Sequence, residues 1–81
     1  MRTLRVIAKE IRVNWRVINN AAAREALECM DGMGQITEPY FSDPNGYPVV
    51  SQFLAHSMGW RGETARRIKK ELRTMCGHPR P

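Results

Sequence analysis

Apolar residues recur at helical spacing in four stretches of the chain, separated by clusters of glycine, proline and asparagine. In the first stretch Leu4, Ile7, Ala8, Ile11 and Trp15 fall within a sector of about 100°, the width of a core-facing stripe. Thr3 stands just before them and predicts an N-cap. Arg5, Lys9, Arg12 and Arg16 share a neighbouring sector. Val6, Val13 and Val17 make a second apolar line that lies away from the first. A small helical domain seldom covers two sides of its first helix, so this second line is a candidate interface.

The next helix is predicted through "AAAREALECM", capped by Asn19 or Asn20, with Ala23, Ala26, Leu27 and Met30 facing inward. Gly32 or Gly34 is expected to end it in the left-handed conformation. The stretch "GQITEPYFSDPNGYP" then reads as a long Pro/Gly/aromatic loop. It holds a turn at Asp43-Pro44-Asn45-Gly46 and three aromatics, Tyr40, Phe41 and Tyr47, able to clamp it. A third helix fits "PVVSQFLAHSMG", with Pro48 in its first turn, Val49 or Val50, Phe53, Leu54 and Ser57 inside, and Gly59 as its stop. Pro48–Leu54 is also the one segment whose residues suit a short β element. The last helix begins near Gly62 or Glu63, buries Ala65, Ile68, Leu72 and Met75, and stops at Gly77. The expected fold is all-α, a single four-helix domain over residues 1–77 with a tail over 78–81.

At 81 residues the chain has room for one core only. Chains of this size bury about 60% of their unfolded surface, so each large apolar side chain counts. No apolar run approaches the roughly 20 residues needed to span a bilayer. The first twenty residues carry four arginines and a lysine with no apolar h-region, which points away from a secretory signal and towards the cytoplasm. Cys29 and Cys76 are too few for a disulfide framework, and Cys29 reads as a small core residue. The net charge of +5, from 13 Lys+Arg against 8 Asp+Glu, favours an anionic partner without naming one.

That charge is concentrated near the end, where "WRGETARRIKKELR" holds six of the thirteen basic residues. Arg66, Lys69, Lys70 and Arg73 lie at i, i+3, i+4 and i+7 and share a face. Glu63 and Glu71 are each four residues from Arg67 and are expected to clasp it. With Arg61 and the four cations of the first helix, this face is the candidate partner- or phosphate-binding surface. The bland alternative is an ordinary solvated helix face. A helix-turn-helix fits poorly, because the outer face offers charge where base-reading helices also carry Asn, Gln, Ser or Thr. Trp60 reads as a core plug. Amides at the start of the last helix could hold an anion, but Glu63 opposes it.

Chemistry is sparse. Cys76-Gly77-His78 lacks the paired ligands of a zinc site, and His56 has no carboxylate or nucleophile set beside it. Gly32-Met33-Gly34 lacks the strand and third glycine of a dinucleotide fold. The reading is of a non-enzyme without metal or cofactor.

The segments "RTLRVIAKEIRVNW" and "VVSQFLAHSMGWRGETARRIKKELRTM", about half the chain, resemble a group of short proteins encoded in bacteriophages and integrative elements. Trp-Arg-Gly-Glu-Thr-Ala-Arg-Arg-Ile-Lys is the most specific part; residues 18–46 resemble the group less. The resemblance implies an accessory protein of a mobile element acting inside a bacterial cell, and it transfers no catalytic residue. Two functions follow as expectations. One is an inhibitor or adaptor of anti-CRISPR type that docks on a host protein or nucleoprotein complex. The other is a basic nucleic-acid-binding accessory protein in regulation or packaging. A homodimer that buries the second apolar line is a third arrangement.

Overall fold

The Thr3 hydroxyl accepts the Val6 amide at 3.3 Å and caps the first helix, α1, Leu4–Asn14. The computed structural model describes residues 2–39 and 45–77. Three more helices follow: α2, Ala21–Asp31; α3, Tyr47–Ala55; and α4, Glu63–Met75. There is no strand among the described residues, and Pro48–Leu54 is helical. α2 packs against both α1 and α3, and α4 lies against α1 and α3.

α1 buries Leu4, Ile7, Ala8 and Ile11, as its spacing requires. Two of its first amides find acceptors far along the chain: Leu4 donates to the Gly34 carbonyl at 2.8 Å and Arg5 to that of Met33 at 3.1 Å. Those are donors that no helix can satisfy from within itself. At Trp15 the backbone leaves the helix (φ −101°, ψ 83°). There the indole lies parallel to Trp60, with ring centroids 5.7 Å apart. Val17 therefore sits beyond α1, and Val6, Val13 and Val17 do not form one helical line.

Asn20 caps α2, its side-chain oxygen accepting the Ala23 amide at 3.0 Å. Ala23, Ala26, Leu27 and Met30 are buried. Gly32 ends α2 at φ −99°, not in the left-handed region. Its amide and that of Met33 close onto Cys29 and Met30 as a tight final turn, which needs no positive φ. Residues 32–46 join α2 to α3. Met33 and Ile36 enter the core, and Gly46 donates to the Ile36 carbonyl at 2.7 Å. Tyr40, Phe41, Asp43 and Pro44 of the expected clamp and turn lie outside the described residues, as does the 78–81 tail; Tyr47 is exposed.

The Asn45 side chain accepts the Tyr47 amide at 3.0 Å as α3 opens, and Pro48 sits in its first turn. α3 ends at Ala55, short of Gly59. Ser57, fully buried, turns its hydroxyl back to the Leu54 carbonyl at 3.2 Å, and the Trp60 amide bonds Ser57. That turn carries Trp60 into the core at 2% exposure, where it meets Phe53 edge-on. α4 buries Ala65, Ile68, Leu72 and Met75 and closes at Gly77, whose φ of 71° is left-handed. Cys29 and Cys76 are both thiols. Both are half-buried, so Cys29 is not the core residue expected; Cys76 packs against the core and burial pushes its thiol pKa up.

Candidate binding surfaces

Where α1 meets α4 the surface is neutralised from within. Arg2 forks onto Glu71 at 2.6 and 3.0 Å and reaches Glu10 at 2.8 Å. Arg67 also bonds Glu10. The expected clasp of Arg67 by Glu63 and Glu71 is thus replaced by a clasp from α1. Glu71 is turned to Arg2, a residue the sequence pattern does not single out. Hydrogen bonds from Arg2, then Arg67, hold the Glu10 carboxyl below its ordinary pKa of 4.5, and the same carboxylates raise that of Arg2.

A depressed carboxylate pKa contributes stability that is present above the unfolded pKa and lost as pH falls through the folded one. Acidification below about pH 4.5 is therefore expected to cost up to about 1 kcal/mol at this partly exposed network. Glu10→Gln should lower stability at pH 7 and flatten the acid limb of a melting-temperature profile. Parallel profiles for the two proteins would exclude that role.

Two of the nine candidate cations are engaged by the protein itself. Arg12 bonds Asp31 through Nε at 2.9 Å and Nη2 at 2.6 Å. Lys69 donates to the Trp60 carbonyl at 2.6 Å and lies 5.8 Å over the Trp60 ring. Burial, followed by the nearby charges of Arg73 and Arg61, lowers its pKa. Lys69 is thereby held half-buried, while Arg12 stays exposed in a surface ion pair.

Arg5, Lys9 and Arg16 on one flank, and Arg61, Arg66, Lys70 and Arg73 on the other, are exposed and make no ion pair among the described residues. The two strips do not merge. Lys9 and Arg5 stand roughly 100–140° around α1 from Glu10, and Lys70, Arg66 and Arg73 roughly 100–160° around α4 from Glu71. Because Glu10 and Glu71 share Arg2, an ionically satisfied seam lies between the strips.

The apolar candidates divide as well. Val6 (48% exposed) and Val13 (77%) stand on the outer side of α1 beside Lys9. Val17, 72% exposed, instead helps line an open groove of about 500 Å³ with Trp15, His56 and Met58. Met58 is 77% exposed, and the sequence pattern had assigned it no role. The groove draws its walls from the α1–α2 and α3–α4 connections, so no single periodic stretch announces it.

Among the described residues no three His, Cys, Asp or Glu side chains gather as metal ligands, and no helix is long and apolar enough to cross a membrane. No protein-family model matches the chain, and neither a curated protein nor a solved structure is detectably similar to it.

Proposed function

We propose that the chain is a small non-enzymatic binding protein of a phage or other mobile element, docking in the host cytoplasm on a host protein or nucleoprotein complex as an anti-defence inhibitor or adaptor. The observation that carries this reading is Val13, 77% exposed beside the exposed Val6 and Lys9. Apolar side chains ringed by charge suit a protein partner, with burial supplying affinity and cations selecting an acidic surface. The element and anti-CRISPR assignments rest on the resemblance described above.

Expression of the wild-type chain in a CRISPR-active strain should raise phage plating, and Val6→Asp/Val13→Asp should cut that gain at least about tenfold. No gain across the common defence types would refute the inhibitor. If the valines instead meet across a two-fold axis, sedimentation will show a dimer that the double variant dissolves. The alternative, a nucleic-acid-binding accessory protein, is favoured by the other flank.

A further inference from the structure

The outer side of α4 carries no apolar side chain. Glu63, Arg66, Arg67, Lys70, Arg73 and Thr74 are exposed, while Ala65, Ile68, Leu72 and Met75 are inside. Protein interfaces draw most of their energy from buried aromatic and aliphatic anchors. Beside this edge the described residues offer only a shallow hollow lined by Arg67, Lys70, Glu71, Thr74 and the nearly buried Met75. Among the described residues its dominant feature is charge. Single-stranded nucleic acid is held largely by stacking bases on exposed aromatic rings. Among the described residues the aromatic beside this edge is Trp60, which is 2% exposed, stacked on Trp15 and covered by Lys69. Double-stranded nucleic acid remains, with its dense, regular phosphates. α4 has 13 residues, a length of about 20 Å, enough to cross a major groove about 12 Å wide and place cations near both flanking backbones.

We propose that the α4 edge formed by Arg61, Arg66, Lys70 and Arg73 binds the phosphate backbone of duplex nucleic acid without reading its sequence. This rests on the reading of the chain as a binding protein and assigns a partner to one flank, leaving Val6 and Val13 for another. Residues 56–62 between α3 and α4 exceed the three or four of a helix-turn-helix, which agrees with contact to phosphates and not to bases. Glu63 is the acid at the head of the strip and weakens it.

The test is fluorescence anisotropy of the purified full chain with a DNA duplex of about 20 base pairs, its single strand, and polyglutamate. With four contacts the log–log salt slope should be about −3.6, an affinity loss of roughly a hundredfold between 50 and 200 mM salt. Arg66→Glu/Lys70→Glu/Arg73→Glu should weaken duplex binding more than tenfold, and Arg5→Glu/Lys9→Glu less than about twofold. Glu63→Gln should strengthen it, a gain that no folding defect imitates. Absence of duplex binding at low salt, equal loss in the α1 variant, or single strand or polyglutamate bound as tightly would overturn the proposal. Because only purified protein and DNA are present, these outcomes are independent of whether a host protein is engaged.

Discussion

Trp60→Ala should lower the melting temperature by at least about 12 °C, as followed by far-ultraviolet circular dichroism. Removing a buried tryptophan costs about 3–5 kcal/mol, and a chain of this length has only about 4–12 kcal/mol in total. Each kcal/mol is worth about 4–8 °C in so small a domain. The indole is bound on every side: its Nε1 donates to Asn14 at 2.8 Å, Trp15 lies parallel to it, and Phe53 meets its edge. The loss should spread, because Asn14 ends α1, Phe53 belongs to α3 and the Lys69 amine rests on the same residue. Trp60→Phe retains an apolar ring but not the donor, so it should fall between. A melt within about 3 °C of wild type for Trp60→Ala would show that the three-ring cluster is not a keystone.

The second large effect is expected at Gly62, the residue before α4. Its backbone lies at φ 111° and ψ 180°, a region only glycine occupies without strain. An alanine there should cost about 1–3 kcal/mol, although nothing within 4 Å would obstruct its methyl group. Gly59, three residues earlier, also has open space around it and is not among the positive-φ glycines. Gly59→Ala should therefore be nearly neutral or slightly stabilising. Comparing the two melts separates backbone conformation from crowding. Equal losses would argue against the strain account.

The two glycines mark how far the sequence can be read. "GWRG" announces a break between helices, yet the residues do not say which glycine carries the unusual torsion. Local chemistry was legible: Thr3, Asn20 and Gly77 cap or close helices through neighbours three or four positions away. So were the inner stripes, because 3.6-residue periodicity places Ile7 with Ile11 and Ile68 with Leu72 whatever the partner helix. Trp60 also lies where its size and setting demand. What escaped depends on pairing between distant positions. Arg2 and Glu71 are 69 residues apart, and Arg67 and Glu10 are 57 apart. Intrahelical spacing favours Glu63 and Glu71 for Arg67, and only the α1–α4 packing shows otherwise.

The candidate surface follows the same rule. That Arg66, Lys70 and Arg73 share an exposed face is a property of one helix, so spacing suffices. That Arg12 is taken by Asp31 and Lys69 by the Trp60 carbonyl requires the fold. Val17 lies outside its stripe because α1 stops at Asn14 and the backbone leaves helical torsions at Trp15, beside the Asn14–Trp60 side-chain bond.

The carbonyls of Met33 and Gly34 bind the start of α1 to the segment behind α2. In an isolated α1 the amides of Leu4 and Arg5 would turn to water, as the first donors of any helix do. In the folded chain a stretch some thirty residues on supplies both acceptors, so the opening of α1 and the exit of α2 are stitched into one unit and a disturbance of either reaches the other.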